Sequence, residues 1–165
     1  TPSTRWVDPL TDPSTWPKST MPTFMGSDAN LNVFVDTSAF LAIKNRRDSL
    51  HKEALALKQR VLDTGKSLVT SDYVLDESYT IIRLRAGHRL AVEFGEELRA
   101  SDLIRIEYLT PEVIEDAWSL FKRFADKEFS FTDCTSFVLM RRLGLHEALA
   151  FDGHFTQAGF AELRR

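Results

Sequence analysis

Two apolar stretches of the sequence each run into a single aspartate. The stretch VFVDTSAF places Asp36 directly after an apolar run, and the stretch LAFDGHF does the same for Asp152. An ionised carboxylate among buried apolar residues is unfavourable unless it is paired, hydrogen-bonded or bound to a cation. Two such acids at the ends of apolar strands therefore indicate a shared acidic site.

Two adjacent acids, Asp76 and Glu77, lie in a predicted helix within the stretch TSDYVLDESYTIIR. At helical spacing, Glu77 shares a side with Val74, Ile81 and Leu84, the side that we expect to pack against a sheet. Asp76 falls on a polar side, so we expect it to face solvent and Glu77 to face the site. The simpler alternative is a glutamate at the edge of the apolar side, with its carboxylate in water or near an arginine.

A fourth acid, Asp133, lies in the stretch SFTDCTSFVLMRRLG, on the same predicted helix side as Phe137 and Met140. Its spacing from Ser130 matches a capping box, in which the acid bonds back to the backbone N–H of the cap residue. The helix dipole also favours an acid in the first turn. A capping role and a ligand role are compatible, because the same dipole keeps the carboxylate ionised.

The four acids Asp36, Glu77, Asp133 and Asp152 predict a cation site when they are taken together. If they converge without a cation, they repel one another and at least one of them takes up a proton. Mg²⁺ and Mn²⁺ prefer oxygen ligands and relieve that repulsion. We therefore expect these four residues to be both the catalytic residues and the metal ligands.

Other catalytic arrangements fit the sequence poorly. The glycines form no phosphate-binding loop, and the histidines have no zinc-ligand spacing with each other or with Cys134. Ser38 stands where an aspartyl phosphatase has its second acid, and it lacks the glycine-flanked turn of a hydrolase serine. A receiver-like signalling domain would need a lysine near the end of a late strand, and the strand that leads to Asp152 offers none.

Alternating strands and helices must position these acids. Apolar strands separated by helices predict an α/β fold with a parallel sheet covered on both faces. Such sheets hold their sites at the C-terminal ends of the strands, where Asp36 and Asp152 lie. We predict strands at 31–36, 67–70, 103–108 and 147–151, and helices at 48–63, 71–85, 88–100, 110–126 and 131–143.

The composition sets broad limits on function. The chain has 165 residues, of which 43% are hydrophobic and 27% charged, as is common for a globular domain. A net charge of −3 does not favour a general nucleic-acid-binding protein, so a polyanionic ligand would require local compensation. The single cysteine excludes an internal disulfide and suits a reducing cytoplasm. No apolar run of the sequence is long enough to cross a membrane.

The first 29 residues differ from the rest of the chain. They hold five of the six prolines, among Thr, Ser and Asp, without an apolar period. We expect residues 1–29 to be a leader, flexible or added by expression design, and residues 30–165 to be a single domain. The alternative is an arm that Trp6 and Trp16 attach to the domain or to a neighbouring subunit.

The four stretches VFVDTSAF, TSDYVLDESYTIIR, SFTDCTSFVLMRRLG and ALAFDGHF together resemble a PIN domain, and they are most similar to the VapC-like toxins of bacterial toxin–antitoxin pairs. The resemblance covers about residues 31–160. It implies a PIN-like three-layer α/β/α sandwich around a central parallel sheet. It also implies that the four acids hold Mg²⁺ or Mn²⁺, with supporting polar contacts from Thr37, Ser38, Thr132 and Ser136.

The resemblance implies a metal-dependent endoribonuclease that hydrolyses RNA phosphodiesters. It further implies a homodimer and an antitoxin protein that blocks the site. The alternative is a PIN-like module that binds RNA or scaffolds a complex without cutting, but such a module would be expected to lose one or more of the four acids. We expect arginines at the rim of the acidic pocket to contact the RNA backbone. For any single arginine, a solvated position on a helix surface is the simpler explanation. The candidates are Arg46, Arg47, Arg83, Arg85, Arg89, Arg141 and Arg142.

Overall fold

The computed structural model describes residues 31–164. The predicted leader at residues 1–29, including Trp6 and Trp16, lies outside the described residues. Five strands and seven helices follow one another along the described part of the chain. They are β1 (Asn32–Val35), α1 (Thr37–Lys44), α2 (His51–Asp63), β2 (Ser67–Ser71), α3 (Asp72–Ala86), α4 (His88–Arg99), β3 (Ile104–Glu107), α5 (Pro111–Arg123), α6 (Phe131–Leu143), β4 (Glu147–Leu149), α7 (His154–Gln157) and β5 (Ala161–Glu162).

The five strands form one parallel sheet with the order β3-β2-β1-β4-β5. From β1 the chain first adds β2 and β3 on one side, and it then returns to add β4 and β5 on the other side. The direction of winding therefore reverses at β1. In parallel α/β sheets, this reversal opens a crevice at the C-terminal ends of the two diverging strands, and ligands bind there.

Apolar residues cover both faces of the central strand. Phe34 is fully buried and its ring centroid lies 5.9 Å from that of Phe155 in α7. Val35 points to the opposite face, because successive residues of a strand alternate, and there it lines a small apolar cavity with Phe40 and Phe94. Burial on both faces explains why β1 reads as a continuous apolar run, and the predicted α/β fold with a covered parallel sheet is confirmed.

The predicted elements are present with small differences in length, and three further elements were not predicted. Helix α1 directly follows Asp36, and most of its residues are buried, so its sequence lacks the polar side that marks a surface helix. Helix α7 has four residues and β5 has two, which is too short for a periodic pattern to show. Within residues 31–164, no helix is long and apolar enough to span a bilayer.

Candidate active site

Asp36 lies at the junction of β1 and α1 and caps the helix. Its Oδ2 accepts hydrogen bonds from the Ser38 backbone N–H at 2.9 Å and from the Ser38 hydroxyl at 2.7 Å. The Ser38 Oγ in turn accepts a bond from the Phe151 N–H at 3.1 Å, and the Asp36 N–H donates to the Leu149 carbonyl at 3.1 Å. These bonds fix the carboxylate of Asp36 to the segment that follows β4. Asp36 is 2% exposed.

Glu77 faces the same region from α3, whereas Asp76 is exposed, so the predicted orientation of the two acids is confirmed. The Oε2 of Glu77 accepts a hydrogen bond of 2.6 Å from the Thr37 hydroxyl, the first residue of α1. The prediction for Leu84 is wrong, because this residue is 80% exposed. Packing of α3 in the interior therefore ends before its last turn, and the helical pattern was extended too far.

Asp133 lies in the first turn of α6 and forms the predicted capping box with Ser130. Its Oδ2 accepts bonds from the Ser130 N–H at 2.7 Å and from the His154 Nδ1 at 2.9 Å. The prediction that one side of α6 faces inward was too narrow, because every residue from 133 to 140 is buried. Asp133 therefore both caps the helix and contacts a residue 21 positions along the chain.

Asp152 follows β4, and His154 begins α7 beside it. The Oδ1 of Asp152 accepts a bond of 3.0 Å from the His154 N–H, and its Oδ2 lies 3.7 Å from the His154 Nδ1. The imidazole also packs edge-on against the ring of Phe129, with centroids 5.6 Å apart. His154 was not predicted as a site residue because its spacing was tested only for zinc. Its position two residues after an acid at a strand end was the available signal.

All four predicted acids line one cavity of about 250 Å³ at the C-terminal ends of β1 and β4. This is the crevice at which the strand order reverses. His154 and Glu128 also line the cavity. Glu128 was missed because it lies in an irregular segment between α5 and α6, where no periodic pattern assigns a direction to its side chain.

Burial dominates the electrostatics of Asp36. It raises the pKa of this carboxyl from 3.8 to about 7, although the bonds from Ser38 oppose the shift. The carboxylates of Asp152 and Asp133 raise the pKa further by repulsion. A carboxyl buried this fully beside two further acids holds its proton close to neutral pH unless a cation compensates its charge.

The pKa values of the other site groups are shifted by the same two causes, burial and neighbouring charge. Burial raises the pKa of Glu77 against the bond from Thr37. Burial also raises the pKa of Asp133, against the Ser130 N–H and the nearby His154. Burial alone would lower the pKa of His154, but the attraction of the neighbouring carboxylates outweighs it and the pKa is raised. Burial thus favours the protonated form of the carboxyls of Glu77 and Asp133, and the neighbouring carboxylates favour the protonated form of His154.

These residues fit a hard divalent cation. Asp133, Asp152 and His154 each offer one ligand atom, and the three atoms lie within 4.8 Å of one another. Asp36 and Glu77 supply further carboxylate oxygens to the same cavity. Oxygen-rich donor sets suit Mg²⁺ and Mn²⁺, and a dication would offset the repulsion that raises the pKa of Asp36.

The predicted supporting residues divide into two groups. Thr37 and Ser38 line the cavity and donate directly to Glu77 and Asp36. Ser136 instead donates to the Thr132 carbonyl at 2.9 Å, inside α6, and neither of these two residues is among those that line the cavity. Thr37 and Ser38 therefore hold two acids in place, whereas Ser136 bonds to the backbone of its own helix.

The seven candidate rim arginines are spread over several surfaces. Arg85 lines the cavity, and Arg83 lines a separate depression between α3 and α4. Three others contact residues outside the cavity: Arg89 with Glu93, Arg142 with Asp116, and Arg141 over the ring of Phe160. Arg46 and Arg47 are exposed near the end of α1. Of the seven, Arg85 is thus the best placed to meet a ligand at the described cavity.

Comparison with known proteins gives consistent matches across this region. A family model described as PIN domain matches residues 33–161. The 23S rRNA-specific endonuclease VapC20 of Mycobacterium tuberculosis, in strains CDC 1551 and H37Rv, is 40% identical over 132 residues, which cover 80% of this chain and 98% of the relative. A crystal structure of Mycobacterium tuberculosis VapC20, described as a Sarcin-Ricin loop cleaving toxin, aligns with a TM-score of 0.73 and 39% identity. That alignment covers 81% of this chain and 99% of the crystallised one.

Proposed function

The chain belongs to the PIN domain family, and from this membership and the geometry of the cavity we propose that it is a metal-dependent endoribonuclease, the toxin of a toxin–antitoxin pair. The single observation that carries the proposal is the convergence of Asp36, Glu77, Asp133 and Asp152 on one cavity at the point where the strand order reverses. A module that only binds RNA or scaffolds a complex has no need to keep four mutually repelling carboxylates together.

In this proposal the four carboxylates and His154 hold one or two Mg²⁺ or Mn²⁺ ions. Such a cation supplies positive charge against the phosphate and makes a water molecule more acidic, so that the water can act as the nucleophile. The protein fixes the geometry of its own ligands. Ser38 orients Asp36, Thr37 orients Glu77, and the capping box orients Asp133.

The hydrogen bonds that Thr37 and Ser38 donate to the acids affect metal binding, because a metal ligand must be fixed in orientation. Residues that bond to a metal ligand from behind fix its orientation and strengthen binding of the metal. The Thr37 hydroxyl joins α1 to α3, and the Ser38 hydroxyl joins α1 to the segment after β4. Glu77 and Asp36 are thus held by hydrogen bonds from α1 and do not depend on their own rotamers alone.

We propose that the substrate is a structured loop of ribosomal RNA. The relatives at about 40% identity are named as a 23S rRNA-specific endonuclease and as a Sarcin-Ricin loop cleaving toxin, and they align over nearly their full length. A loop presents an unpaired, bent backbone that can enter a compact cavity, which a regular duplex cannot do. Arg85 at the wall of the cavity offers a cation for a backbone phosphate.

The remaining features of the proposal concern assembly and location. We propose that an antitoxin protein covers the cavity, that two copies of the chain form a homodimer, and that the protein acts in the cytoplasm, where ribosomal RNA is located. We further propose that residues 30–165 are one catalytic domain, because the four acids come from positions between 36 and 152 and line one cavity.

The test is cleavage of purified ribosomal RNA and of a synthetic sarcin–ricin loop by the full chain. With Mn²⁺ or Mg²⁺ we expect a discrete cut, and with EDTA we expect none. Glu77→Gln should abolish the cut, while the neighbouring Asp76→Asn, an exposed acid of the same helix, should retain it. Undiminished cleavage in EDTA would contradict the metal mechanism. RNA binding without cleavage under all of these conditions would favour the non-cleaving module.

A further inference from the structure

An open depression of about 510 Å³ lies between α3 and α4, the two helices that Gly87 joins. Arg83, His88 and Arg99 line it together with one acid, Glu96. None of its lining residues lines the acidic cavity. The depression therefore carries a local excess of positive charge in a chain whose net charge is −3. A surface of this kind attracts phosphate groups.

The two arginines of the depression are available to a ligand. Both are exposed, and within residues 31–164 neither forms an ion pair with a carboxylate. The guanidinium carbon of Arg99 lies 5.9 Å from the centre of the Tyr79 ring. Arg83 lies one turn after Tyr79, on the same side of α3. The ring thus has one arginine over it and a second beside it, and guanidinium groups bind phosphate through paired N–H donors.

The floor of the depression is open because Gly95 has no side chain. Gly95 lies inside α4, where glycine is less favourable than alanine for the helix itself. A Cβ atom at this position would lie 2.8 Å from the Arg99 Nη1 and 3.3 Å from the Tyr79 Cε1. A larger residue would therefore move the guanidinium group and fill part of the floor. Gly95 thus allows Arg99 to lie against Tyr79.

Helix α3 connects the depression to the acidic cavity. Glu77 and Arg85 line the cavity, whereas Arg83 lines the depression. Arg83 and Arg85 are two residues apart, so their side chains leave the helix about 200° from each other. Leu84 lies between them and is 80% exposed, so no described residue covers the end of α3 there. A strand that leaves the cavity can cross this end and reach the depression within a helix diameter of about 10–12 Å.

We propose that the depression between α3 and α4 is a second RNA-binding site, which holds a backbone phosphate of the substrate a few nucleotides from the bond that is cut. Arg83 and Arg99 bind this phosphate, and Arg85 contacts the backbone where it leaves the cavity. Phosphate contacts fix the position and orientation of a nucleic acid without reading its bases. The second site therefore selects an RNA by the path of its backbone. The inference rests on the ribonuclease function proposed above.

The first test measures binding of a synthetic sarcin–ricin loop by fluorescence anisotropy in Mg²⁺, with Glu77→Gln as the parent so that the RNA stays intact. Arg83→Gln and Arg99→Gln should each raise the dissociation constant by about 10-fold, as expected for a lost hydrogen bond between charged groups. The slope of log affinity against log salt concentration should fall by about 1. The matched control is Lys52→Gln, which removes the same charge from an exposed position of α2 outside both sites and should change neither quantity.

The second test keeps every charge and changes the shape of the depression. Gly95→Ala should weaken RNA binding to the same extent as Arg99→Gln, because the new Cβ displaces the Arg99 guanidinium group. Alanine is the better helix former, so α4 should remain folded in this variant. Circular dichroism confirms that each variant is folded.

Stepwise shortening of the RNA beside the loop tests whether the contact is at a distance from the cut. The parent should lose about 10-fold in affinity at one step, and Arg83→Gln should show no such step, because it has already lost the contact. An affinity and salt slope of Arg83→Gln equal to those of the parent would overturn the proposal. So would a loss of affinity that is the same for every RNA length, because it would indicate general attraction of charge.

Cleavage by the wild-type chain is measured separately and distinguishes the two proposals. Cleavage together with unchanged binding by Arg83→Gln would refute the second site and leave the ribonuclease function in place. Binding that depends on Arg83 and on RNA length, without cleavage by the wild type, would refute the ribonuclease function and leave the second site in place.

Discussion

Replacement of Asp36 by asparagine separates the catalytic role of this residue from its role in folding. Its pKa of about 7 in the folded protein, against an ordinary value of 3.8, means that the folded chain retains a proton that the unfolded chain releases. A raised pKa stabilises the folded state fully below about pH 4, and this contribution is lost as the pH rises to about 7. The difference corresponds to roughly 4 kcal/mol as an upper value, at about 1.4 kcal/mol per pH unit.

Asparagine cannot ionise, yet it keeps an oxygen to accept the two bonds from Ser38 and is a good cap for α1. In EDTA at pH 8, Asp36→Asn should therefore be more stable than the wild type, with a melting temperature higher by up to roughly 10 °C. Near pH 4.5 the two proteins should agree to within about 1 kcal/mol. The assay is thermal unfolding from pH 4.5 to 8, with EDTA or Mn²⁺.

Mn²⁺ should reverse the order of stability at pH 8, because a cation that binds only the folded state stabilises it, and the variant has lost a ligand. Cleavage should fall by orders of magnitude in the same variant. The matched control is Asp76→Asn, which should change stability by no more than about 0.5 kcal/mol at any pH because its side chain is exposed. If Asp36→Asn were less stable than the wild type at pH 8 in EDTA, or fully active, Asp36 would be a structural cap and the reasoning would fail.

Three further changes test other parts of the site and fold. Glu77→Gln should reduce cleavage by orders of magnitude, because it removes a proposed metal ligand. Its thermal stability in EDTA should stay equal or rise, because burial raises the pKa of Glu77. A loss of stability that matches the loss of cleavage would point to a structural role. His154→Gln should weaken Mn²⁺ binding by about 10- to 100-fold in calorimetry, since the imidazole contacts Asp133, and unchanged affinity would remove His154 from the site. Gly144→Ala should destabilise the protein by about 1 kcal/mol in urea unfolding, because Gly144 has φ +68°, and specific activity of the folded fraction should not change.

Local patterns in the sequence were enough to predict the class of fold and to select four acids as candidate site residues. Continuous apolar runs such as that before Asp36 are typical of strands buried on both faces, as in a parallel sheet covered by helices. Helical spacing was sufficient to direct Glu77 inward and Asp76 outward, because the side of a helix is fixed by local geometry. The same local reasoning identified the capping box of Asp133.

Which of these residues come into contact depends on how the strands and helices pack together. Thr37 bonds to Glu77 across 40 positions and His154 to Asp133 across 21, and both contacts depend on which strands and helices become neighbours. The order β3-β2-β1-β4-β5 places the ends of β1 and β4 side by side, so that Asp36 and Asp152 share a cavity. Periodic patterns in a sequence report which side of an element is buried, but they carry no information on the element against which it packs. The raised pKa of Asp36 follows from that packing, since burial and neighbouring charge arise only when distant segments converge.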